Sequence, residues 1–211
     1  MALALACAAT QTRVADAHPH AWIDVRVTVL FGGDGAITGL RQSWLFDEFY
    51  TAFATVGLDG DGDGIPDPGL IDALSIENIT NLADYSYFTS LWVDGTKQTF
   101  GTATEVTGRL AGDRYEMSFT APLAAPVDPR AGKLTYAVYD PTYYVELLHA
   151  EVADAIVLDD APMGCSFSLQ PPNPDPDMVA FAASLSPTES GGDGLGILFA
   201  ERVSLECTTG S

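Results

Sequence analysis

Apolar and polar positions alternate over much of this chain, and the period of the alternation changes from place to place. Ile23, Val25, Val27 and Val29 take turns with Asp24, Arg26 and Thr28, a period of two that predicts a strand with one wet face. A Gly-Gly-Asp-Gly turn, Gly32 to Gly35, predicts a reversal into a second strand through Leu40, Trp44 and Phe46. At Asp47 the period lengthens. Residues 47–57 predict a short helix closed by Gly57, and Leu70, Ile71, Leu74, Ile79 and Leu82 fall on one later helical arc.

From Tyr85 the short period returns. Tyr87 to Val93, Asp94-Gly95 and Lys97 to Phe100 predict a hairpin, because Asp-Gly suits the turns that match strand twist. Val106 to Leu110 and Tyr115 to Phe119 flank another turn. Leu134, Tyr136 and Val138 alternate, and further strands are expected around Glu146 to His149, Ala155 to Leu158 and Cys165 to Leu169. Pro171 to Asp177 reads as a stiff connector and Ser186 to Gly196 as a flexible loop, with a helical turn or two between them, Met178 to Leu185. Ile197 to Cys207 closes the chain as a last strand. The pattern predicts a mainly β protein, an antiparallel β-sandwich-like framework with a helix-loop-helix inserted at about residues 47–84. Residues 18–160 form the β-rich part, and residues 161–211 complete the same framework.

Composition narrows the chemistry. The 211 residues carry 29 Asp and Glu against 9 Lys and Arg, a net charge of −20 that repels nucleic acid and anionic membrane and attracts cations. Residues 1–17 begin with an apolar, small-residue run and end in Ala15-Asp16-Ala17, the pattern that precedes a signal-peptidase cut. Secretion to the periplasm is therefore expected, with no direct membrane insertion of the mature chain. Cys7 falls in the removed segment, and in an oxidising compartment Cys165 and Cys207 are expected to form a disulfide.

Cleavage after Ala17 would make His18 the first residue. An α-amino group and the imidazoles of His18 and His20 would then lie within three residues, in a chain with only three histidines. Such a group suits zinc, nickel, cobalt or copper(II). The hairpin returns Asp47 and Glu48 towards these histidines as added ligands, although Asp47 equally suits a helix cap and Glu48 the first turn. Asp140, before a proline, is a turn residue or a ligand, and His149 is either packed in its strand or the third imidazole. In the insert, Asp59, Asp61, Asp63 and Asp67 stand at loop positions 1, 3, 5 and 9, with Gly64 at 6 and the Ile65 carbonyl at 7, the spacing that wraps a calcium ion. Position 12 is Leu70, so Asp72 is the substitute if the loop is longer. A single loop of this kind is expected to hold structural calcium rather than to sense it.

The motifs His18-Pro-His20-Ala-Trp22-Ile-Asp24, Trp44-Leu-Phe-Asp47-Glu48-Phe-Tyr50, the Asp59 to Gly64 loop, Tyr85-x-Tyr87-Phe88, Val93-Asp94-Gly95 and Tyr139-Asp140-Pro141-Thr142-Tyr143-Tyr144 follow one another in this order. Together they resemble domain-of-unknown-function family 1007. The resemblance implies a secreted bacterial protein of the kind often labelled a periplasmic component of an uncharacterised ABC-type transport system, encoded near nickel- or cobalt-type permeases or exporters. Three functions are then open. The first is a periplasmic transition-metal carrier, or an accessory protein serving a membrane metal permease or exporter. The second is a calcium-stabilised β interaction module, in which the aromatic stretches Trp44 to Tyr50 and Tyr139 to Tyr144 are core or docking surface. The third is an enzyme in which the N-terminal amine and His18 clamp copper, with His149 as the second imidazole. Phosphate-binding glycine loops, nucleophile elbows and zinc-protease helices are absent from the sequence.

Overall fold

The computed structural model describes residues 18–186 and 188–208. The leader expected over residues 1–17 lies outside the described residues. Strand β1 (Ala21–Phe31) is buried at every second residue, with Ile23, Val25, Val27 and Val29 inward as the alternation requires. It turns through Gly35, which has a positive φ of 79°, into β2 (Ile37–Phe46), placing Ile23 opposite Phe46 and Val25 opposite Trp44.

Helices α1 (Glu48–Ala54) and α2 (Pro68–Leu82) follow, and a short 3-10 stretch, Ala83–Phe88, leads to β3 (Thr89–Val93) and β4 (Thr96–Lys97). The Asp94-Gly95 turn has positive φ at both residues, as expected, but β4 stops at Lys97 and Phe100 makes only a lone bridge to Leu123. Next come β5 (Thr104–Ala111), β6 (Arg114–Val127), β7 (Leu134–Val138), β8 (Val145–His149), β9 (Ile156–Asp159) and β10 (Cys165–Gln170). The chain ends with α3 (Pro176–Ser184), the single turn α4 (Gly196–Phe199) and β11 (Arg202–Cys207). The continuous strand expected from Ile197 is therefore broken. Phe199 is buried with Tyr143 and Leu195 in a small second cluster, and that packing favours a helical turn there.

The strands make two sheets, β5-β6-β2-β1-β8 with β9 also on β1, and β10-β11-β7-β3-β4. An all-antiparallel framework is corrected on one edge. Both β8 and β9 run parallel to β1, end to end along it, Ala21 facing Val145 and Val27 facing Ile156. The reason is the connection: β7 lies in the second sheet, so β8 arrives by crossing between sheets rather than by a hairpin. One core joins the two layers, with Trp44, Phe119 and Tyr115 from the first sheet and Leu91, Leu134 and Tyr136 from the second. Strand β7 is buried at all five residues, so its alternating sequence does not mark a wet face. Inside this core Gln42 accepts a hydrogen bond from the Trp44 indole (3.0 Å) and donates to Thr89 (2.9 Å), so a buried amide is satisfied by tying the layers together.

Helix α2 lies on β5 and β6. Asp72 accepts the Gly108 amide (2.8 Å), and the Tyr115 hydroxyl meets Ser75 (2.6 Å). A side chain at Gly108 would collide with Ser75 and Ile71, so glycine sets the closeness of this contact. The disulfide Cys165–Cys207 joins directly opposed residues of β10 and β11. Among the described residues no helix is long and apolar enough to cross a membrane.

Candidate metal centre

The start of β1 meets the turn before β8. The His20 amide donates to the Tyr144 carbonyl (2.8 Å), which extends the parallel pairing by one bond. Asp140 builds that turn. Its Oδ1 accepts from the Thr142 amide and hydroxyl, and its Oδ2 from the Tyr144 and Val145 amides, all at 2.9 to 3.0 Å. Tyr143 is held with a φ of 59° and stacks on Phe199, ring centres 4.0 Å apart. Tyr144 is thereby presented to the histidines, with its ring 4.4 Å from His20 and 5.6 Å from His18.

The two imidazoles meet edge to face, 4.8 Å between centres. His18 is buried, and its Nε2 bonds the Glu189 carbonyl at 2.8 Å, which brings the loop after α3 over the pair. His20 Nε2 is buried without a hydrogen-bond partner. Burial, and after it the nearby His18, lowers the His20 pKa from 6.5. The Glu189 carboxyl is held below its usual range by the Ser186 amide and hydroxyl, with His18 adding to the effect. A neutral imidazole with an unused buried nitrogen, beside a second imidazole, is a nitrogen-donor pair suited to a borderline-soft divalent cation.

The other expected ligands do not join the pair. Asp47 caps α1 through the Tyr50 amide (2.9 Å) and takes the Trp22 amide with its second oxygen (2.9 Å), so both oxygens fix the corner between β1 and α1. Glu48 is exposed in the first turn of α1. The four bonds at Asp140 make it the turn's organiser. His149 sits alongside Val25, five residues on from His20 and thus roughly 16 Å along the strand. Its Nδ1 meets Glu201 (2.8 Å) and its Nε2 the Tyr136 hydroxyl (3.3 Å), so it links the sheets and does not supply the second imidazole that a copper clamp at His18 needs. The sequence does not place Tyr144 or Glu189 beside the histidines. Tyr144 belongs to an aromatic stretch that equally suits core or docking surface, whereas Glu189 lies in a Gly/Ser loop and carries no local signal.

The acidic loop is a separate feature. Asp59, Asp61 and Asp63 bring carboxylate oxygens within 4.8 Å of one another, the one such grouping of three or more His, Cys, Asp or Glu among the described residues. Asp59 also accepts the Gly62, Asp63 and Gly64 amides, and Gly62 and Gly64 have positive φ, so the loop already curls about its first aspartate. Asp67 precedes α2 and holds the Gly60 amide (2.8 Å). Ile65 is exposed. Asp72 takes the Gly108 amide on Oδ1, and like Asp67 it is not in the cluster of three.

A family profile described as "Protein of unknown function (DUF1007)" matches residues 3–207. An uncharacterised protein of Haemophilus influenzae is 26% identical over 194 residues, which cover 90% of this chain and 91% of that one. No solved structure matches significantly. The chain belongs to the DUF1007 family.

Proposed function

We propose that this protein is a periplasmic carrier, or an accessory protein of a transport system, for a divalent transition-metal ion, which it takes up at His18 and His20. The observation that carries this reading is the buried, unpartnered Nε2 of His20 beside a second imidazole. A buried polar nitrogen without a partner costs about 1–3 kcal/mol, and a bound cation would recover that cost. Zinc, nickel, cobalt and copper(II) are the cargoes that imidazole donors favour. Cleavage after Ala17 would add the His18 amine, leaving the remaining positions to water or to a donor on the membrane permease or exporter that exchanges the ion. Tyr144 walls the pair on one side, and the Glu189 carbonyl must yield if His18 is to coordinate through Nε2.

We also propose a structural calcium ion in the insert, held by Asp59, Asp61, Asp63, Asp67 and the Ile65 carbonyl. Its chemistry there is neutralisation of clustered carboxylates, which fixes the sandwich-borne helix-loop-helix in its EF-hand-like form.

The test is calorimetric titration of the metal-stripped protein beginning at His18 with zinc, nickel and copper(II), calcium being held saturating. One-to-one binding tighter than about 1 μM, abolished in H18A/H20A, is expected. Unchanged affinity in that variant would refute the carrier reading.

A further inference from the structure

The helical insert combines two properties that its fold does not need. Between Arg41 and Lys97 there is no basic residue, whereas residues 42–96 contain ten Asp and Glu. The insert is therefore strongly anionic, and the nearest basic residues in the chain to its groove are Arg109 and Arg114 of the β5–β6 hairpin, beside Leu110 and Asp113. On the insert lies an uncovered apolar stripe. Phe49 and Phe53 sit one turn apart on α1 and Val56 follows just past its end; they are 87%, 79% and 77% exposed. Ile65 of the acidic loop, 60% exposed, lines with Phe49, Ala52, Pro66 and Leu110 a groove of about 710 Å³. Glu48 and Asp113 line it too. The inner side of α1 is secured by other residues, since buried Thr51 accepts the Tyr115 amide (2.9 Å) and Tyr50 stacks on Phe46. The phenylalanines therefore contribute little to packing, and contiguous open side chains of this size mark an interaction surface.

We propose that this groove docks a segment of another protein that presents apolar side chains flanked by lysine or arginine. Charge complementarity selects the occupant: carboxylates line and border an apolar floor, so a partner must supply both apolar contact and positive charge. A second copy would press one acidic insert against another, and an anionic bilayer would be repelled. The surface is independent of the histidine pair and stands or falls without it.

The experiment uses a fluorescein-labelled leucine-lysine helix with one apolar face, and a scrambled peptide of the same composition with none. Their binding to the purified protein is followed by fluorescence anisotropy at physiological salt. The ordered helix should bind about tenfold or more tighter than the scrambled one, and F49S/F53S should lose about tenfold or more with its melting temperature unchanged. I65S, which also lines the groove, should weaken binding likewise, and H18A/H20A should not. Equal affinity for the two peptides, or for parent and both groove variants, would reduce the effect to charge alone and overturn the proposal. It would equally be overturned by no binding, by binding to vesicles that depends on Phe49 and Phe53, or by self-association that these substitutions abolish.

Discussion

At the scale of single residues, Asp140 matters most for the histidine pair without touching it. Its four accepted hydrogen bonds shape the turn that presents Tyr144. Gly196 fits against this same turn, because a side chain there would collide with the Asp140 carbonyl. D140A leaves the amides of Tyr144 and Val145 without their acceptor, and a loss of roughly 2–4 kcal/mol in urea unfolding is expected. A loss below about 0.5 kcal/mol would show that the backbone holds the turn unaided. His20 gives a second prediction. Its lowered pKa means that the folded state resists protonation, so stability falls as pH drops through the unfolded value of 6.5 towards the lowered folded one, and levels off below it. An NMR titration should place the His20 midpoint under 6.5. At this scale the sequence marked some of the residues that shape the site but not how they are used. Asp47 and Asp140 stood out as carboxylates beside turns, yet whether such a group caps or coordinates depends on which amides tertiary structure aims at it.

At the scale of elements, His149 tests the assignment of ligands. Its ring sits between β8, Tyr136 of β7 and Glu201 just before β11. H149A should leave metal stoichiometry unchanged while removing roughly 2–4 kcal/mol of stability, because the Glu201 carboxylate loses the imidazole that offsets its burial. A loss of metal binding in a variant that remains folded would return His149 to the site. The disulfide closes a separation of 42 residues, so C165S/C207S should lower stability by up to about 4 kcal/mol on the chain-entropy account, measured by denaturant unfolding. The β1–β2 hairpin, the Asp94-Gly95 turn and α2 were legible because local periodicity and turn chemistry specify them. Two features escaped for physical reasons. The parallel edge on β1 depends on a pairing more than a hundred residues away, and α4 forms because Phe199 is buried against Tyr143 and not because of propensity.

At the scale of the molecule, the charge of −20 is unevenly borne, and the insert takes a large share of it. A cation in the Asp59–Asp63 ring would relieve part of that repulsion where it is most concentrated. Chelation of calcium should therefore lower the melting temperature of the calcium-loaded protein, and D59N/D61N should abolish the difference. An identical melting temperature with and without calcium would leave the ring as a solvated turn. The mainly β class was legible at this scale from the strand patterns, but the parallel edge on β1 and the gathering of His18, Tyr144 and Glu189 were not. Those residues are brought together by topology, and no window of sequence contains them.

The position of β1 has one more consequence, for the order of assembly. Its first half has β2 on one side, which follows at once, and β8 on the other, which must wait for Val145. Contacts of such separation form late because loop closure must precede them. Pulse-labelled hydrogen exchange during refolding should find the amides shared by β1 and β2 protected first, and the His20 amide, bonded to Tyr144, among the last. The Glu189 carbonyl lies 171 residues from His18 and comes later still. An unfinished chain thus has two histidines on an open edge, and only the completed one encloses them.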